Sequence, residues 1–120
     1  MYEPGYKKLV LYQKAHQLVL DIYRVTKHYP RDEQFGLISQ MRRASISVPA
    51  NVIEGWARNS VKEKRNFCYI ARGSLVELLY YLDLSKDLDL LSQLERDDIH
   101  KLAYETLKLL QGFLKTMQNS

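Results

Sequence analysis

The side chains best equipped for chemistry are few in this chain and far apart in sequence. The three histidines, His16, His28 and His100, fall on different segments, and neither E-x-x-H nor H-E-x-x-H occurs. Helical metal sites place such ligands one turn apart, so no metal centre and no metal-dependent reaction is expected. Cys68 is the only cysteine, which excludes an internal disulfide and a cysteine-based zinc site. It adjoins an apolar helical stripe, where a cysteine acts as a small hydrophobe rather than a nucleophile. No glycine-rich phosphate loop is present, and no cofactor is expected.

One stretch, residues 39–59 (SQMRRASISVPANVIEGWARN), does concentrate polar groups. At 100° per residue, Arg43, Ser47, Glu54 and Arg58 fall within about 60° of one another on a helix. Glu54 and Arg58 stand at i and i+4, close enough to pair. Arg42 adjoins Arg43, and Asn51 borders the apolar stripe near Ala44 and Gly55. Pro49 has no N–H, so the Ser45 carbonyl loses its helical donor and a kink is expected there. Arg42, Arg43, Asn51 and Glu54 read as a structural polar cluster or a subunit interface. An active site combining Glu54 with Arg43 or Glu77 ranks third, because no acid–base pair is poised for proton transfer. No catalytic residue is assigned and no enzymatic activity is expected.

The elements that carry these residues are helices. Only five Gly and three Pro occur in 120 residues, too few for the many turns of an all-β domain. Tyr12, Ala15, Leu18, Val19, Ile22, Val25, Thr26 and Tyr29 recur every three or four residues and define a first helix over about 9–29. Pro30 ends it, and Asp32 is placed to cap a second helix over about 32–59. That helix has two apolar stripes. Ile38, Met41, Ser45, Val48, Val52 and Trp56 form one, and Ile46, Ala50, Ile53 and Ala57 form the other. A helix in a monomeric bundle needs one buried stripe, so two imply burial against something outside the bundle.

Ser60 and Glu63 match a capping box that opens a third helix over about 60–88. Phe67, Ala71, Ser74, Leu75, Leu78, Leu82 and Ser85 face one way, with Tyr69, Val76 and Tyr80 opposite. Ser92 and Glu95 open a fourth helix over about 93–117, carrying Ile99, Leu102, Ala103, Thr106, Leu109, Leu110, Phe113 and Met117. The fold class is therefore all-α, an antiparallel up-down-up-down four-helix bundle forming one domain over 1–120.

Charge separates the ends of such a bundle. Arg58, Lys62, Lys64, Arg65 and Arg72 stand against Glu63 alone, whereas Asp83, Asp87, Asp89, Glu95, Asp97 and Asp98 outnumber Lys86 and Arg96. The basic residues suit phosphates, whose neutralisation releases counterions. Equally, charged connections keep the ends solvated, and a third reading joins the basic end of one molecule to the acidic end of another. Of the nine tyrosines only Tyr69 lies close to the basic run in sequence, which makes base stacking a minor contribution. The net charge of +4 and pI near 9.2 are compatible with nucleic acid without requiring it. No apolar run reaches the roughly 20 residues of a membrane span, and the opening MYEPGYKKLVLYQKAH lacks a signal-peptide core. A cytoplasmic protein without membrane association is expected.

YKKLVLYQKAHQLVLDIY at 6–23, FGLISQMRRASISVPANVIEGWARNS at 35–60 and ARGSLVELLYYL at 71–82 resemble a known bacterial family. It is the four-helix-bundle family that includes proteins encoded within intervening sequences of 23S ribosomal RNA genes. The departures are Tyr12 where Trp is usual, Val48 where Ile is common before proline, and Ile53 in place of a small Ala beside Glu54. The resemblance implies a homopentamer with no established enzymatic activity. A similar pentameric fold serves diversity-generating retroelements as a basic accessory protein that associates with a reverse transcriptase and nucleic acid. The function expected here is non-catalytic association of an oligomer with RNA or DNA, structured RNA above all, through Arg58, Lys62, Lys64, Arg65 and Arg72. The alternative is a scaffold or accessory subunit that binds a protein partner.

Overall fold

The structure is a computed structural model that describes residues 5–117; the outermost residues of the predicted 1–120 domain, 1–4 and 118–120, lie outside the described residues. Four α-helices follow one another: α1 (Val10–Thr26), α2 (Ser39–Ala57), α3 (Val61–Asp87) and α4 (Gln93–Met117). Contacts between chain neighbours run in opposite directions. Arg42 near the start of α2 bonds Thr26 at the end of α1, and Trp56 near the end of α2 packs on Tyr6, just before α1. Ser85 meets Met41 at one end of the α2–α3 pair, while Gly55 lies against Phe67 at the other. Arg96 pairs with Asp83, and Arg65 reaches the Met117 carbonyl, so α3 and α4 are likewise antiparallel. Lys14 and Glu105, 2.8 Å apart, tie α1 to α4 and close the four-membered ring.

The apolar stripes meet in one core. Ala15, Leu18, Ile22, Met41, Ala44, Val48, Leu75, Leu78, Leu82 and Leu110 are fully or almost fully removed from solvent. Each large side chain among them contributes about 1.5–3 kcal/mol of hydrophobic stabilisation. The expected register holds on α1, where Leu11 joins the stripe and Tyr12 and Val19 are only half-buried. On α4 it shifts: Leu107 and Leu114 point inward, while Phe113 is 39% exposed. A seven-residue step advances a helix by nearly two full turns, so Leu107 and Leu114 share a face that Phe113 misses by 100°.

The connections carry two further findings. The second helix starts at Ser39 rather than near Asp32. Residues Arg31–Glu33 form a short 3₁₀ turn and Gln34–Ile38 a π-helical turn, with non-helical backbone at Gly36. Beyond it α2 continues through Pro49 without interruption. At the other connection, Asp89 takes φ 60°, and the Leu90 N–H reaches the Ser85 carbonyl at 2.8 Å. This left-handed closure satisfies carbonyls at the end of α3. Ser92 and Glu95 form a complete capping box: the Ser92 hydroxyl accepts from the Glu95 N–H, and the Glu95 carboxylate accepts from the Ser92 N–H. At Ser60 the structure holds the first half, a Glu63 N–H bond to the Ser60 hydroxyl at 3.0 Å.

The closest helix pairing is α2 with α3, across small residues. The Ser74 hydroxyl donates to the Ser47 hydroxyl at 2.8 Å, and a Cβ built on Gly55 would lie 3.3 Å from the Phe67 Cβ. Ser74 is buried, so a larger residue there has nowhere to go. Ser74→Leu is expected to destabilise the chain by about 2 kcal/mol or more through overpacking and the lost bond, and Ser74→Ala by about 1 kcal/mol. Urea denaturation followed by circular dichroism measures both.

Candidate nucleic-acid interface

The basic run begins where α2 ends and α3 starts, beside the start of α1 and the end of α4. Helix C-termini leave carbonyls without intrahelical donors, and those of α2 and α4 converge here. Lys64 Nζ donates to the carbonyls of Gly55 and Trp56 at 3.3 and 3.2 Å, and Arg65 Nη1 to that of Met117 at 3.4 Å. Both cations thus cap negative helix ends. Arg58 bonds the Glu54 carboxylate at 3.1 Å and lies over the Phe67 ring at 5.0 Å, yet remains exposed. Lys62 is exposed, with no ion pair among the described residues. Arg72 stands eleven residues into α3, about 16 Å up the helix, with its guanidinium over Tyr69 at 4.9 Å. The five cations of the run therefore do not form one patch. Arg58 and Lys62 are displayed at this end, Lys64 and Arg65 are spent on capping, and Arg72 lies apart.

Folding adds residues that sequence proximity left out. Lys7 and Lys8 precede α1, and Lys115 lies near the end of α4, all at this same end. Trp56, expected in the core, is 44% exposed because the last turn of α2 passes the end of the core. Its ring meets Tyr6 edge-on, 5.8 Å between centroids, and Tyr6 meets Tyr12 at 5.0 Å. An aromatic cluster thus sits among the cations, where Tyr69 alone was expected nearby. The signal was legible in part: Trp56 stands two residues before Arg58, and Tyr6 directly before Lys7 and Lys8. Beneath Trp56 lies an apolar cavity of about 130 Å³, walled by the ends of all four helices.

The polar cluster of α2 divides between two neighbours, because adjacent helical residues point 100° apart. Arg42 turns to α1, donating to Thr26 Oγ1 at 2.9 Å and lying over the Tyr23 ring. Arg43 turns to α3 and pairs with Glu77 at 2.6 Å; Gln40 and Tyr81 extend this network. Asn51 donates to the carbonyl and hydroxyl of its own helix at Ser47, 2.7 and 3.0 Å away. Glu54 binds only Arg58. Each polar group of the cluster has a structural partner.

Outside it, burial pushes the Cys68 thiol above its ordinary value, against a smaller opposing pull from the Lys64 ammonium. The Tyr29 phenol is likewise raised, mainly by burial; it lies beside Ser85, whose hydroxyl is engaged with Met41 Sδ. Among the described residues, no three His, Cys, Asp or Glu side chains are grouped to hold a metal ion. Nor is any described helix long and apolar enough to cross a membrane.

Comparison with known proteins rests on nearly the whole chain. Residues 7–112 match the family described as 23S rRNA-intervening sequence protein. The chain belongs to that family. A crystal structure from Bacteroides thetaiotaomicron, a protein with unknown function from the S23 ribosomal protein family, is similar in fold. The two superpose with a TM-score of 0.83 at 23% identity, over 88% of this chain and 99% of that one. No curated protein matches. As a 23S rRNA-intervening sequence protein, the chain has the all-helical fold that its motifs implied. Its quoted motif at 35–60 spans the turn before α2, all of α2 and the N-cap of α3.

Two measurements follow from this geometry. Lys64→Met should lower stability by about 1 kcal/mol by stripping a cap from α2, whereas Lys62→Met should change it by less than about 0.5 kcal/mol; urea midpoints compare them. Cys68 keeps its proton longer when folded than when unfolded. Stability should therefore fall as pH rises above about 8.5, the ordinary thiol value. Thermal melts across that range should show a smaller loss in Cys68→Ala.

Proposed function

We propose that this 23S rRNA-intervening sequence protein is a non-catalytic homo-oligomer that associates with nucleic acid, structured RNA above all, through the basic end of its bundle. The observation that carries this reading is the placement of exposed Arg58, Lys62, Lys8 and Lys115 at the end of the bundle that also holds the partly exposed Trp56. Phosphates would meet the cations, and an unpaired base could stack on the indole, a contact that tolerates any sequence. Catalysis has no support in the polar cluster, whose groups are engaged by separate structural partners: Arg42 by Thr26, Arg43 by Glu77, Asn51 by Ser47 and Glu54 by Arg58.

Self-association is supported by the outer faces of α2 and α3. Ile46, Val76 and Tyr80 are 43%, 54% and 61% exposed in the single chain, and Ala50, Ala57 and Gly73 are exposed as well. That is the second apolar stripe of each helix, a surface suited to a second copy. Repetition around a ring would multiply a modest charge into a multivalent one. The family resemblance puts the ring at five copies. A protein partner is the alternative occupant of these faces, and the setting proposed for the oligomer is the cytoplasm.

Fluorescence anisotropy with labelled RNA at several salt concentrations tests the binding. Affinity should fall steeply with salt, and Arg58→Ala combined with Lys62→Ala should weaken it and lower the salt slope by about 2, one for each lost phosphate contact. No binding to RNA or DNA at low salt and micromolar protein would refute the reading. Light scattering tests the assembly: a pentamer of the 14.1 kDa chain has a mass of about 70 kDa, and a monomer at all concentrations would exclude it.

A further inference from the structure

Phe35 is 89% exposed, more than any other large apolar residue described. The turn around it is built to hold it outward. The Glu33 carboxylate accepts from the Leu37 N–H at 3.3 Å, and Leu37 is buried. Between them Gly36 takes φ −106° and ψ −111°, where a Cβ would sit 2.8 Å from the capping carboxylate oxygen. With Leu37 pinned into the core, Phe35 is left projecting from the end of the bundle. Leu88 and Leu94, 51% and 71% exposed, stand at the same end. So do the acids Asp32, Glu33, Asp87, Asp89 and Glu95 against the bases Lys27, Arg31 and Lys86, which leaves this end net acidic.

The opposite end has the complementary features. Its cavity of about 130 Å³ is walled by Leu11, Val52, Trp56, Phe113 and Met117. A cavity of ~150 Å³ lined by apolar side chains takes up benzene, so this one is on the scale of a phenyl ring. Its surroundings are basic, with Lys62 and Arg58 displayed. Phe35 cannot fill the cavity of its own chain, because the two lie at opposite ends of a molecule 45 Å long. Ring, cavity and both charged rims are satisfied together when a second copy stacks end to end.

We propose that Phe35 of one copy inserts into the Trp56-walled cavity of a second copy, with the acidic rim of the first against the basic rim of the second. The contact is heterologous: it leaves a free Phe35 at one end and a free cavity at the other, so it propagates. If the chain forms rings through α2 and α3, the rings stack. The opposed rims make stacking sensitive to salt, and a polyanion on the basic end competes with it. The inference is independent of nucleic-acid binding, which uses the same end for a different occupant.

Trp56 is the only tryptophan in the chain, so its emission reports on the cavity. A peptide of residues 30–38 should shift that emission saturably, and the same peptide carrying Phe35→Ala should not. In sedimentation velocity at low salt, the wild-type chain should grow beyond its base mass as concentration rises and lose that growth at high salt. Full-length Phe35→Ala should keep the base mass and helix content but lose the growth. Equal responses to the two peptides, or none to either, would overturn the proposal, as would wild-type growth in Phe35→Ala. A fall in base mass without a peptide effect on Trp56 would assign Phe35 to a different contact and also defeat it. A wild-type chain that stays monomeric throughout would defeat both this stacking and the ring.

Discussion

The close approach of α2 and α3 is the constraint on which the rest of the molecule depends. A hydroxyl pair, Ser47 and Ser74, and a glycine, Gly55, bring the two backbones together where larger side chains would force them apart. Once that seam is set, every face of α2 has its direction. Met41, Ala44 and Val48 turn into the core, Arg43 meets Glu77, and Arg42 swings to Thr26 on α1. The stripe of Ile46, Ala50 and Ala57 is left exposed, uncovered by any described residue. A seam of small residues thus creates both the bundle and its uncovered apolar surface.

Helix ends determine how charge is used. Two C-termini at one end need donors, and Lys64 and Arg65 supply them. These cations compensate for backbone carbonyls and are only partly available to a ligand. Arg58, just past the end of α2, and Lys62, in the first turn of α3, are exposed instead. The same run therefore contains cations that cap helix ends, Lys64 and Arg65, and a cation whose removal costs only surface charge, Lys62, although all look alike as sequence. At the other end the left-handed turn at Asp89 and the capping box at Ser92 work within the chain, leaving the acidic groups largely in solvent.

Much of the fold was legible because helical periodicity and capping chemistry are local. The four helices, the core stripe of α1 and both capping serines could be read from residue types and spacing. Three features could not. The start of α2 is displaced because Glu33 and Gly36 form a tight turn whose closure depends on Leu37 finding the core. The inward face of α4 is rotated near its end because Leu107 and Leu114 win the contact with α1 and α3 over Phe113. Trp56 fits an apolar stripe by spacing but lies beyond the level at which the other helices can cover it.

By itself, the sequence determined the family, the helical class, the order of the elements and the separation of basic from acidic connections, since each is encoded in motif, period or composition. Only the tertiary structure decided which members of the polar stretch at 39–59 act together, which cations are displayed, and that Trp56 and Phe113 line one cavity while Tyr6 packs on Trp56. The physical reason is that a helix assigns its side chains to directions 100° apart, and a direction acquires meaning only when a neighbour occupies it. Arg42 and Arg43 are adjacent in the chain and separate in function because α1 and α3 stand on different sides of α2.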